Sequence, residues 1–169
     1  MTLLSRLFSP PPRPLSALWD AIVATARDPA WYLRHQVADS IDGRFDMVAL
    51  VACLVLIRFE QAGAMAEHAI LTERLVDDMD GSLRDIGIGD MVIGKHMGRV
   101  IGAFGGRLGA YRAALGPEAP KAALAEALAR NVYRGQPPEG EPQALAEAVR
   151  LLNGRIQAAP IETLKAGRF

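Results

Sequence analysis

Apolar residues recur along this chain at the three- and four-residue spacing of helices, and they nowhere alternate long enough to describe a strand. Leu15 to Arg27 places Leu15, Leu18, Trp19, Ile22, Val23 and Ala26 on one side of a helix. Asp28-Pro29 ends that helix and opens another, because aspartate caps well and proline suits the first helical position. The segment after it sets Trp31 and Tyr32 beside the first helix. Ser40 or Asp42 then caps a helix from about 43 to 61 whose apolar residues occupy nearly every face, the pattern of a helix enclosed by others. Its polar exceptions, Asp46 and Arg58, lie near its two ends and are read as structural.

Gly63 allows a turn into a helix from Ala64 to about Met79, with Met65, Ala69, Thr72, Val76 and Met79 assigned to the core. Gly87 and Gly89 mark a break, Asp90 caps a long helix from Met91 to Leu115, and Gly116-Pro117 stops it. Helices from Lys121 to Arg134 and from Gln143 to Ala158 follow, separated by the loop Gly135 to Pro142, and one more turn fits after Pro160. At the other end, residues 1–8 hold one or two amphipathic turns, and Ser9 to Pro14 is a polyproline-like linker. The pattern predicts an all-α fold: a compact single-domain bundle of about seven helices around the central helix at about 43–61. The domain covers residues 15–169, with residues 1–14 as a tail and Pro-rich linker.

Composition narrows the function classes. Half of the 169 residues are hydrophobic and formal net charge is zero, so the chain buries a core and carries no global attraction for nucleic acid or anionic lipid. The single cysteine, Cys53, lies in an apolar run and excludes a disulfide framework or a CxxC site. The longest apolar run, Met47 to Ile57, is well short of the roughly 20 residues a membrane-spanning helix needs.

Local charge is less even. Asp77, Asp78, Asp80, Asp85 and Asp90 make one stretch acidic, and Lys95, Arg99, Arg107 and Arg112 make the next basic and glycine-studded. A calcium loop with Gly81 at its sixth position would start at Val76 and end at Gly87, so both ligand positions fail. No glutamate precedes His35, His68 or His96 by three residues, as a helix-borne di-metal site would need. Ser82 lacks a nucleophile elbow and Cys53 lacks a polar setting. Gly102, Gly105 and Gly106 lie within helical periodicity and lack the ending of a phosphate loop. No catalytic or metal-binding set is expected.

On the helix from Met91, Ile93, Met97, Val100, Ile101, Phe104, Leu108, Tyr111 and Leu115 share the arc assigned to the core. Gly94, Gly98, Gly102, Gly105 and Gly109 fall on the neighbouring arc. Each glycine costs a helix about 1 kcal/mol relative to alanine. Two compensations are open: close packing against another part of this chain, or a shallow groove that a partner helix fills. The acidic stretch and the basic face are expected to meet as adjacent helices, with Asp78, Asp80 or Asp85 pairing with Lys95 or Arg99.

Three stretches resemble the ubiquinol–cytochrome c chaperone family: Trp31-Tyr32 with RFDMVALVACLVLIRFE, the block LVDDMDGSLRDIGIGDMVIGKHMGRV running on through AFGGRLGAYRAAL, and LAEALARNVYRG. Asp78, Met79, Asp80, Arg84, Gly87, Lys95 and Tyr111 form its specific part; Arg112 and the small Gly105-Gly106-Arg107 depart from the mitochondrial pattern. The resemblance implies a bacterial-type, non-enzymatic assembly chaperone without cofactor. It would hold newly made cytochrome b for the cytochrome bc1 complex (complex III) of the respiratory chain. An apolar client calls for an apolar groove with a charged rim, and Asp78, Asp80, Arg84, Lys95, Arg99, Gly98, Gly102 and Phe104 are the expected client-binding residues. The expected location is cytoplasmic, with peripheral contact on the inner face of the cytoplasmic membrane and ribosome contact both left open, and no DNA partner. The alternative from another class is a helical protein that binds a small molecule such as quinone or haem in the glycine groove.

Overall fold

Ser40, in extended backbone, accepts a hydrogen bond from Gly43 N through its side chain and starts the helix on which the others are packed. In this computed structural model, residues 13–85 and 90–169 are described, with the side chains of 80–97, 99 and 100 outside the description. Eight helices occupy the described residues: α1 (Ser16–Ala26), α2 (Pro29–Leu33), α3 (Ile41–Gln61), α4 (Met65–Asp85), α5 (Asp90–Ala114), α6 (Ala123–Asn131), α7 (Glu141–Ala158) and α8 (Ile161–Lys165). The fold is all-α, as the periodicity requires, and no strand occurs among the described residues.

Helix α3 is apolar all round because it is covered all round. Met47 and every residue from Ala49 to Leu56 are completely buried, with α1, α4, α5 and α7 packed about them. The first turn of α3 passes so close to the preceding loop that a Cβ on Gly43 would lie 1.9 Å from Ala38 O, which only glycine avoids. Asp28 accepts from Ala30 N and caps α2, with Pro29 at its first position. Trp31 Nε1 then donates to Thr25 O and the Tyr32 hydroxyl to Ala26 O, so two aromatics satisfy carbonyls at the end of α1. At the other end of the chain, Arg58 donates to Ala159 O, and Lys165 of α8 reaches Glu67 of α4 at 3.3 Å.

Two elements differ from the sequence expectation. Helix α4 continues to Asp85, and its core face is Leu71, Leu75 and Met79, whereas Met65 is 57% exposed and Ala69 is exposed. The helix is rotated because His68 turns inward to Glu60 and Glu67 to Lys165. Helix α6 ends at Asn131, short of the expected Arg134. Tyr133 N bonds back to Leu128 O and Gly135 N to Ala129 O, while Arg134 takes a left-handed φ of 53°. That turn sends the Tyr133 hydroxyl to His35 O and the Arg134 guanidinium back to α3.

Substituting Leu54, with no exposed surface at the centre of α3, by alanine is expected to cost about 2–5 kcal/mol. Urea titration followed by circular dichroism measures the loss.

Candidate functional site

The rotation of α5 about its own axis decides which of its faces is left for function. At roughly 100° per residue, with Phe104 as zero, Leu108 and Tyr111 fall within about 40°. Arg107 then lies about 60° to one side, and Gly98, Gly102, Gly105 and Gly109 about 100–160° to the other. The structure buries the first set: Tyr111 is fully buried, Phe104 is 6% exposed and Leu108 is 9% exposed.

Two ion pairs flank this buried face and reach α3. Arg107 Nη2 donates to Asp46 Oδ1 at 2.5 Å, with its guanidinium 5.5 Å from the centroid of the Phe45 ring. Arg134 Nε donates to Asp46 Oδ2 at 2.9 Å, and its Nη1 donates to Asp42. Asp46 is 1% exposed, the one buried charged residue among those described. Burial pushes its carboxyl above the ordinary aspartate range, and the Arg134 and Arg107 guanidiniums pull it back. Towards the other end of α3, Arg112 makes a two-pronged contact with Glu60, Nε to Oε2 at 2.8 Å and Nη2 to Oε1 at 2.6 Å, while His68 Nε2 lies 3.1 Å from the same carboxylate. The basic residues of α5 that are described therefore pair with α3. The expected pairing of Asp78, Asp80 or Asp85 with Lys95 or Arg99 lies outside the described side chains.

With α5 held this way, its glycines face outwards. Gly98, Gly102, Gly105 and Gly106 are exposed, Gly109 is half-buried, and a Cβ on any of them would meet nothing within 4 Å among the described residues. Close packing within the described chain therefore does not explain them. Ile101, assigned by periodicity to the core, is 45% exposed because it sits on the edge of the buried arc next to the uncovered glycines. The other expected site residues are distributed differently. Asp78 is exposed near the end of α4, Phe104 is buried beneath the glycine face, and the side chains of Asp80, Arg84, Lys95 and Arg99 lie outside the description.

A cleft of about 780 Å³ opens where α5 ends. Its lining is mostly small, with Ala114, Gly116, Ala119, Ala122, Ala125, Ala146 and Gly154, and Lys121, Glu147 and Arg150 stand among them. None of the lining side chains is aromatic, histidine, methionine or cysteine, so the cleft offers none of the usual axial ligands of haem iron and no ring to stack on a quinone. Sequence reasoning missed this cleft because its walls come from three separate elements; the run of alanines and glycines from Ala113 to Ala125 was the available signal. Among the described residues, no group of three metal-ligating side chains converges, and no helix is long and apolar enough to cross a membrane.

Two outcomes follow for the ion pairs. Asp46→Ala would strand Arg107, and is expected to cost about 3–5 kcal/mol of stability in urea titration. Glu60 is held below the usual glutamate range, first by its bond from Arg112, with burial opposing. A lowered folded-state value contributes stability above the unfolded value, about 4.3, and loses it as pH falls through the folded value. Arg112→Met should flatten the loss of stability measured across that acid range.

Comparison with known proteins places this arrangement. The chain is similar to the crystal structure of the Cbp3 homolog from Brucella abortus, with 32% identity and a TM-score of 0.80, over 90% of this chain and 85% of that one. No curated protein matches it. The family described as ubiquinol-cytochrome C chaperone matches residues 33–169, which contain the α3–α5 ion pairs, the glycine face and the cleft. The chain therefore belongs to the ubiquinol-cytochrome c chaperone family of complex III assembly.

Proposed function

We propose that this protein is a non-enzymatic chaperone that binds newly made cytochrome b and holds it during assembly of the cytochrome bc1 complex. The observation that carries the reading is the outward glycine face of α5, uncovered by any described part of the chain and bordered by the half-exposed Ile101. A client rich in apolar helices needs a surface that its backbone can approach closely, and glycines remove the side chains that would hold it away. Their cost in helix stability then has a functional counterpart.

Gly98 and Gly102 form the contact surface in this reading, and Asp78, Asp80, Arg84, Lys95 and Arg99 form a charged rim. Phe104 acts from below, anchoring α5 in the core so that the glycines stay outwards. The protein works at the inner face of the cytoplasmic membrane, where a membrane-protein client is made, with no helix among its described residues long and apolar enough to span it. Family membership supports a role in complex III assembly, and the small-lined surface supports a helical client over a compact ligand.

A deletion strain is expected to lose assembled bc1 complex, measured by native gel and dithionite-reduced haem spectra of membranes. Tagged wild-type protein should retain cytochrome b from solubilised membranes, and Gly102→Leu should reduce that capture by about tenfold or more. Normal bc1 levels in the deletion strain, with no cytochrome b retained, would falsify the reading.

A further inference from the structure

Leu33 and Ile41 are 81% and 75% exposed, the most exposed large apolar side chains among the described residues. A single exposed leucine is ordinary, but these two are displayed from elements that are firmly tied down. Trp31 Nε1 and the Tyr32 hydroxyl bond to carbonyls at the end of α1, which fixes the rotation of α2. At about 100° per residue Leu33 then lies about 160° from the buried Trp31, turned away from the core. Val37 N closes back on Trp31 O, and the Gln36 side chain donates to Glu141, so the loop into α3 is held as well. Ile41 opens α3 directly after the Ser40 cap.

The two side chains share a neighbourhood. Arg44 lies one turn after Ile41 on α3 and donates to Asp39. Burial pushes the Tyr32 phenol above its ordinary range, and Arg44, Asp39 and Arg27 are close enough to act on it. Tyr32 precedes Leu33, so Leu33, Ile41 and these charges stand at one end of the bundle. The acids there are engaged: Asp39 by Arg44, Asp42 by Arg134, Asp28 by Ala30 N and Glu141 by Gln36. Arg27 and Arg34 are exposed and make no ion pair among the described residues.

Resting on the reading that the protein works at the membrane surface, we propose that this end of the bundle is where it sits on the lipid. Leu33 and Ile41 enter the headgroup region, and the guanidiniums of Arg27 and Arg34 pair with lipid phosphates. Protruding apolar tips beside unpaired arginines suit a fluid, anionic surface that deforms around them. Neither Leu33 nor Ile41 lines the cleft, the one concave seat described for a protein segment. Two side chains give reversible attachment and no permanent anchor.

The test is co-sedimentation of the full chain with vesicles of phosphatidylcholine, alone or with about one third phosphatidylglycerol. Wild-type protein binds the anionic vesicles, and Leu33→Gln/Ile41→Gln binds them about tenfold or more weakly. Arg27→Gln/Arg34→Gln loses the preference for phosphatidylglycerol. All four positions are exposed, so the variants melt with wild type and lost binding is not lost folding. Leu151→Gln removes a leucine of similar exposure from α7 and leaves vesicle binding unchanged. No binding of wild type to anionic vesicles, or an equal loss in Leu151→Gln, overturns the lipid seat. Cytochrome b capture from solubilised membranes separates the two claims. Capture by wild type without vesicle binding removes the seat and keeps the client; vesicle binding in the predicted pattern without capture keeps the seat and removes the client. Loss of capture by Leu33→Gln/Ile41→Gln with vesicle binding unchanged assigns this end to a protein partner and overturns the lipid seat.

Discussion

Two carboxylates on α3 fix the rotation of α5, and the character of the exposed surface follows from that. Asp46 takes Arg107 on one side of the buried stripe of α5, and Glu60 takes Arg112 on the other. Between them Tyr111 is fully buried beside Cys53, and burial pushes the pKa of the phenol and of the thiol above their ordinary ranges, so both stay neutral. Hydrophobic packing alone would tolerate some rolling of a helix whose small residues leave its surface smooth. Charge pairs of fixed reach do not. A buried pair is a poor source of net stability, but losing one partner is costly, so such pairs act here as a constraint on orientation. Arg134 reinforces it by reaching Asp46 from the turn after α6, which ties a third element to the same carboxylate.

The glycines lie on the face that this constraint leaves outwards. At two positions elsewhere in the chain, glycine answers a local need. At Gly43 a Cβ would strike Ala38 O, and at Gly167, with φ 74°, one would lie 2.4 Å from Ala17 O. On α5 no such neighbour exists among the described residues. Helix stability is spent there without any return inside the described fold, and the ion pairs keep the weakened face turned outwards. Membership of a chaperone family for complex III assembly gives that arrangement its sense.

Much of the fold was legible in the sequence because α1 and α7 have three-to-four periodicity, α3 is apolar on nearly every face, and α2 and α3 carry standard caps. Asp28, Ser40 and Pro29 each act as their residue types suggest. The face of α4 was misread because Met65 and Ala69 look like core residues by hydrophobicity, whereas His68 and Glu67 are turned inward by partners far away in sequence. The same limitation hid the α3–α5 pairs. Asp46 and Glu60 are ordinary acids on a helix until Arg107, Arg112 and Arg134 are brought to them. The glycine stripe itself was plain in the spacing, but periodicity could not say whether it was covered, and the cleft needs three chain segments to exist at all.

The central claim is that the outward glycine face of α5 is where the client lies. Hydrogen exchange of the full-length protein, free and in complex with captured cytochrome b, tests it most directly. The account predicts new protection along residues 98–109, with the outer faces of α1 and α2 unchanged. Unaltered exchange along α5 in a complex that demonstrably contains cytochrome b, or protection confined to α1 and α2, would contradict it.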